Sequence, residues 1–338
     1  LTCILLLNYP FPSPPYSSTL CFPAFLVLLR FQNMSFFEEI FPKAIVDYYP
    51  HNLADVHKKP FLRPMGEVLR EFAEAPVEPA GGWGARHGRS EDARYVHWRM
   101  TASQWNKVKH LLKPMHPFFT TDEPWMRQCI PAKKRHPTNR RKGNWPMDNW
   151  IRHTHWKIIV IGEHDSGMFF HADGFSTSTF VFQFVGRKRW TLCPPDPEMK
   201  VMYPAGKIDT FDPDRESVYR EFERFRGADC ADVVVHPGEV IYYPSHYWHQ
   251  TLNLDRPCVS MAGRRIDGNN AHEVYGELLH RCRNPGPDIT KQWPGAAPNL
   301  KKRVCKAISG CFDLWKDMFR SGTKFGAWLD DNNDGEEL

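Results

Sequence analysis

The 338-residue sequence has no Cys-x-x-Cys pair, so a zinc ribbon or a thioredoxin-like redox motif is unsupported. Its nine cysteines, at 3, 21, 129, 193, 230, 258, 282, 305 and 311, fall mostly in apolar stretches. They read as reduced core residues of an intracellular protein, nuclear or cytoplasmic. Long hydrophobic runs are also missing. Residues 20–29 (LCFPAFLVLL) are apolar, but a bilayer span needs about twenty such residues. No Lys or Arg precedes that run, so a secretory signal lacks its basic region. Residues 1–33 are expected to be an unstructured tail or a gene-model extension, with a membrane anchor as the alternative. No internal repeat or low-complexity tract occurs. The 29 prolines argue against an all-helical protein.

Net charge is +5, too small to indicate a partner. The charge is uneven, however. Residues 133–142 (KKRHPTNRRK) hold six Lys or Arg, and the last nine residues (DDNNDGEEL) hold five acids. Such runs read first as a solvated loop and an acidic tail. For the basic run, a nuclear-entry signal or a nucleic-acid contact is the alternative.

Upstream, residues 35–75 read as short helical pieces and loops, with helical spacing over Glu67–Ala75. Residues 76–92 are a Pro/Gly-rich loop. Tyr95–Met100 alternates as a strand, and Ser103–Leu112 reads as a helix with Ser103 as its N-cap. From Trp156 the texture changes. WKIIVIG, MFFHAD, TFVFQFV, RWTLCP, DVVVHP, EVIYYP, YWHQTLNL and PCVSMAG follow one another, separated by Gly, Pro and Asp turn signals. Eight short apolar or alternating runs at this density predict a β-sandwich or jelly roll. A charged insertion, residues 196–229, carries a helix near Arg215–Arg226. His272–Arg283 and Leu300–Phe319 return to helical periodicity, and could cover the barrel or pair two subunits.

His171 and Asp173 are two residues apart on an apparent strand, so both side chains point the same way. His249 lies on another predicted strand. Two imidazoles and a carboxylate leave open positions on a metal, the arrangement of non-haem Fe(II) oxygenases. The tripeptide alone carries little weight, because this composition makes about one His-x-Asp by chance. Its setting carries more. A Pro-Gly-Glu turn (Pro237–Glu239) leads into a strand, and a Tyr243–His249 segment follows.

Residues 156–266 resemble a Jumonji C domain, the cupin-fold branch of the 2-oxoglutarate oxygenases. The matching stretches are HAD (171–173), FQFVGRKRWTLCPPD (182–196) and HPGEVIYYPSHYWHQTLNLD (236–255), with the strand after Pro257. They are closest to the small hydroxylase-type members. Upstream, RYVHW and FFTTDEPW (118–125) match more faintly. The resemblance implies a mainly β fold, a double-stranded β-helix (jelly roll, cupin) core with flanking α-helices. It implies Fe(II) held by His171, Asp173 and His249, which are then the catalytic residues, with 2-oxoglutarate and O₂ as cosubstrates. Lys188 falls where the family pairs a lysine with the distal carboxylate of 2-oxoglutarate, and Tyr95 is the candidate to share it. The sequence departs from the family at three places. Met168 stands where a Thr is usual. Val181 stands for an Asn, with Thr179 as the substitute. Met261 and Gly263 occupy usually polar positions ahead of Arg264 and Arg265.

The implied domain order is 1–33 extension, 34–150 α/β flank, 151–270 cupin core, 271–322 helical segment and 323–338 acidic tail. Hydroxylation of a protein or peptide side chain is the leading expectation. Demethylation of N-methyl-lysine or N-methyl-arginine, or hydroxylation of a modified RNA approached through 133–142, stays open. So does a catalytically silent cupin-like scaffold. No membrane partner is expected, and a homodimer through the C-terminal helices is an option.

Overall fold

The computed structural model of the chain describes residues 4–6, 35–50, 60–74, 93–108, 156–195, 208–211, 214–266 and 270–283, with five further positions between 305 and 313. The basic run 133–142, the 118–125 segment and most of Leu300–Phe319 lie outside the described residues.

In chain order the strands are β1 (Ile4–Leu6), β2 (Ile45–Tyr49), β3 (Phe61–Pro64), β4 (Tyr95–Arg99), β5 (Lys157–Gly162) and β6 (His171–Ala172). β7 (Ser178–Val185), β8 (Lys188–Cys193), β9 (Ala231–Val235), β10 (Val240–Tyr243), β11 (Trp248–Asn253) and β12 (Cys258–Arg265) complete them. The order across the large sheet is β1-β10-β7-β12-β5-β4-β2-β3, and across the small sheet β6-β11-β8-β9. Successive strands from β5 to β12 switch sheets at almost every turn. That is the jelly-roll core expected from the eight short runs.

The large sheet has two differently used faces because side chains alternate along a strand. One face presents Val96, Trp98, Ile159, Ile161, Phe180, Phe184, Val259 and Met261 to a single apolar cluster. Helices cover it: α1 (Ser35–Ile40), α2 (Met65–Glu74) and α3 (Ala102–Val108). In α2 the buried side chains are Met65, Val68, Leu69 and Phe72, at the i, i+3, i+4, i+7 spacing of one helical face. Burying each contributes roughly 2 kcal/mol. The opposite face looks toward the small sheet and carries Tyr95, His97, Ile158, Val160, Ser260 and Ala262. The two sheets thus enclose a chamber walled from both sides.

Several expectations change. β2 and β3 lie where only helices and loops were expected, and they extend the large sheet through β4. Residues 1–33 are not wholly unstructured, since β1 pairs in parallel with β10. Ser103 is not the N-cap of α3. Thr101 is: its hydroxyl accepts from Gln104 N at 3.2 Å, and Gln104 Oε1 accepts from Thr101 N at 2.9 Å. This reciprocal capping box satisfies two otherwise orphaned amides. The reading of all cysteines as reduced also fails, because Cys193 and Cys230 form a disulfide. Antiparallel pairing of Leu192 with Ala231 makes these two direct cross-strand neighbours. Cys258 is a buried free thiol.

The 196–229 insertion contains α4 (Arg215–Glu221) and a 3-10 turn over Glu223–Gly227, near the expected helix. After β12, α5 (Ala271–Arg283) follows the expected helical stretch. Among the described residues, no helix is long and apolar enough to cross a membrane.

Candidate metal centre

β6 is only two residues long, so its position is set by pairing. His171 sits directly opposite His249 of β11, and the ring centroids are 4.3 Å apart. Phe170 and Trp248 pack behind them. Asp173 lies just beyond β6 rather than within a strand, where the chain turns into Gly174. One ligand atom from each of His171, Asp173 and His249 lies within 4.8 Å of the others. The three residues singled out from the sequence therefore converge.

Hydrogen bonds orient each of them. His171 Nδ1 donates to Phe169 O at 2.7 Å, and His249 Nδ1 donates to Tyr247 O at 3.2 Å. A neutral imidazole carries one N–H, so each Nε2 keeps its lone pair on the ligand side, with the Tyr243 hydroxyl 3.2 Å from that of His249. Burial disfavours the charged form of both rings. It lowers the His171 pKa, against a partial offset from Asp173, and brings His249 down to about 3, with His171 adding. Burial acts upward on the Asp173 carboxyl. Arg264 first, then His249, His171 and the Thr179 hydroxyl, outweigh it and hold the group well below the usual range. Two neutral imidazoles beside an ionised carboxylate form a donor set ready for a divalent metal.

Asp173 Oδ2 accepts from Thr179 Oγ1 at 2.7 Å and from the Tyr243 hydroxyl at 3.1 Å. The other oxygen, Oδ1, lies 3.9 Å from His171 Nε2. The carboxylate is thus held at Oδ2 by two hydroxyls, while Oδ1 faces His171 and also accepts from Arg264 Nη2. Burial and the neighbouring Asp173 raise the Tyr243 phenol well above its ordinary value, so it remains a donor. Thr179, the candidate for holding the cosubstrate, lines the cavity and donates its hydroxyl to Asp173.

Arg264 is the third support. Its Nη1 donates to Gly174 O and to Thr177 Oγ1, both at 2.7 Å, and Nη2 reaches Asp173 Oδ1 at 3.3 Å. The turn it clamps holds Phe175 and Ser176 at positive φ, 66° and 50°, a conformation costing of order 1 kcal/mol or more per residue. Arg264→Ala should loosen this turn and lower divalent-metal affinity by roughly 10- to 100-fold, the usual effect of losing an outer support. Competition against a chromophoric chelator measures it. An unchanged affinity would show that Arg264 serves only the turn.

Beside the three ligands lies a cavity of about 280 Å³. Lys188 reaches into it from β8, only 2% exposed, and its Nζ donates to Ser260 Oγ at 2.8 Å. Among the described residues no carboxylate pairs with it. Its neighbours go the other way: Arg187 pairs with Asp255 and Arg189 with Asp232. Strand alternation thus separates one inward lysine from two surface arginines. Tyr95 also lines the cavity. Sequence reasoning passed over Tyr243, His97, Trp190 and Ser260. Spacing could have found two of them, since His97 is two from Tyr95 and Trp190 two from Lys188. The polar positions sought at Met261 and Gly263 belong to the other face, where a Cβ on Gly263 would collide with the Phe180 ring.

A model of the Cupin-like domain family matches residues 84–262, just over half of the chain. The chain belongs to this family. Curated relatives include HSPB1-associated protein 1 of Homo sapiens, 34% identical over 127 residues, 35% of this chain and 24% of that protein. The bifunctional arginine demethylase and lysyl-hydroxylase psr-1 of Caenorhabditis briggsae is 26% identical over 166 residues, 46% of this chain and 40% of the relative. The 2-oxoglutarate and iron-dependent oxygenase JMJD4 of Gallus gallus is 24% identical over 211 residues, 60% of this chain and 49% of the relative. The chain thus spans about a quarter to a half of these relatives' lengths. The family match contains all three converging ligands, Lys188 and Tyr95, so the cupin-like core and the candidate centre coincide.

Proposed function

We propose that this cupin-like protein is an Fe(II)- and 2-oxoglutarate-dependent oxygenase that hydroxylates a protein side chain. The observation that carries the reading is the joint placement of His171, Asp173 and His249 around one point, with the buried Lys188 amine in the same cavity.

The residues fit both groups. Two imidazoles and one carboxylate suit Fe(II) and leave positions open for other ligands. A buried ammonium with only a hydroxyl partner is costly unless an anion completes it. The distal carboxylate of 2-oxoglutarate is such an anion. Trp190, also on the wall, has a buried indole N–H without a hydrogen-bond partner among the described residues, which again favours a ligand rich in acceptors. Fe(II) held there would supply the chemistry of its class: O₂ and 2-oxoglutarate become succinate and CO₂, and one oxygen atom enters a substrate C–H bond.

The rest is the chain's own work. His171, Asp173 and His249 would hold the metal on one side. Phe169 O and Tyr247 O fix the two imidazole tautomers. Thr179 and Tyr243 keep Asp173 turned toward the histidines. Lys188 and Ser260 would orient the cosubstrate by its far end, and the apolar walls, Ile158, Val160 and Val181, would exclude water from it. The names of the relatives JMJD4 and psr-1 support iron, 2-oxoglutarate and a lysyl side chain. The arginine demethylase in the second name keeps N-demethylation as the variant reading, since a hydroxylated N-methyl group breaks down to the free amine.

Anaerobic addition of Fe(II) and 2-oxoglutarate should produce a weak visible charge-transfer band. Admitting O₂ should release succinate, faster with a peptide pool than with an RNA pool. Absence of both band and succinate overturns the reading, and stimulation by RNA alone overturns the protein substrate.

A further inference from the structure

Tyr95 was expected as the β4 residue facing the cosubstrate, but the geometry also brings in its neighbour His97. Cross-strand pairing sets His97 opposite Val160 and Val160 opposite Ser260. The three form one row across the large sheet, and all line the cavity. Ser260 is the residue that receives the Lys188 amine. His97 therefore stands at the depth of Lys188. The metal end, built on Asp173, Thr179 and Arg264, lies further along the same strands, where Arg264 pairs with Thr179.

His97 is 7% exposed and has no hydrogen bond among the described residues. Its described ring neighbours are Tyr49 and Tyr95, with centroids 6.1 and 5.3 Å away. A ring N–H with no acceptor among the described residues is free to donate to a ligand in the cavity that His97 lines. Burial, with Arg99, Lys188 and His171 adding, takes the His97 pKa down to about 3. The ring is then neutral, with one N–H to give and no charge to compete with Lys188. The usual polar positions that would supply cosubstrate hydrogen bonds are Met168 and Val181 here, so a donor is wanted from elsewhere.

We propose that His97 is a third anchor for the distal carboxylate of 2-oxoglutarate, donating a ring N–H to the oxygen pair that Lys188 and Ser260 hold. This rests on the proposed oxygenase reading. The test uses the full chain loaded with Ni(II), which binds the same donors without turnover, and calorimetric titration of two 2-oxo acids. 2-Oxoglutarate carries the distal carboxylate, and 2-oxopentanoate has a methyl group in its place. His97→Phe should weaken 2-oxoglutarate roughly tenfold, the loss of one hydrogen bond to a charged group, and leave 2-oxopentanoate unchanged. His97→Gln, which keeps an N–H donor, should restore most of the 2-oxoglutarate affinity. Equal loss of both acids in both variants, or no loss of 2-oxoglutarate, overturns the anchor while leaving the oxygenase reading intact. If the unaltered protein binds neither acid, the oxygenase reading falls and the anchor with it.

Discussion

Asp173→Ala should bring 2-oxoglutarate-dependent succinate release down to the level of metal-free protein. It should also cost at least about a hundredfold in divalent-metal affinity, more than removal of an outer support costs. Asp173 supplies the single negative charge among the three converging ligands. Without it, two neutral imidazoles face a dication and the Arg264 guanidinium stands next to the vacancy, adding repulsion. Asp173→Asn separates charge from shape. The amide keeps an oxygen for Thr179 Oγ1, now 2.7 Å from Oδ2, so the turn should survive while turnover is still lost. Chelator competition, succinate assay and circular dichroism on the three proteins check this. Full turnover in Asp173→Asn would mean that the carboxylate is structural.

What could be read from the chain follows from how each element is buried. β5 and β7 are apolar on both faces because one face meets helices and the other the chamber, and such runs stand out. β2 and β3 did not. Asp47 interrupts the alternation of β2 and is tolerated because Arg99 pairs with it at 2.6 Å. β3 is an edge strand whose Phe61 and Leu62 are mostly exposed, so little burial shaped its pattern. The metal triad was legible because its residues sit in recognisable motifs. Its supports were not, since Tyr243 and Arg264 reach Asp173 across 70 and 91 residues of sequence. β12 alternates without a break, with Ser260, Ala262 and Arg264 toward the chamber and Val259 and Met261 toward the helices, so polar side chains sought at 261 and 263 were sought on the wrong face. The Cys193–Cys230 bond is invisible to spacing rules, because cross-strand partners 37 residues apart share no sequence motif.

Lys188→Met should move binding and stability in opposite directions. Methionine is close to lysine in shape but has no charge. In the cosubstrate-free protein the ammonium is buried against Ser260 Oγ, with Cys258 nearby, and burial lowers its pKa. Removing an uncompensated buried charge relieves a desolvation cost, so the ligand-free variant should melt at the same or a higher temperature. The cosubstrate loses its ionic partner. Breaking a buried pair from one side costs about 3–5 kcal/mol, which corresponds to a fall in 2-oxoglutarate affinity of roughly 150- to 4000-fold. Metal affinity should hardly change, because Lys188 touches none of His171, Asp173 or His249. Thermal melts without ligand and calorimetry with 2-oxoglutarate on the metal-loaded protein read the two effects separately. A variant that melts lower and still binds 2-oxoglutarate normally would show that Lys188 supports the fold and that the anion is held elsewhere, with Arg264, the other buried cation on the cavity wall, as the residue to test next.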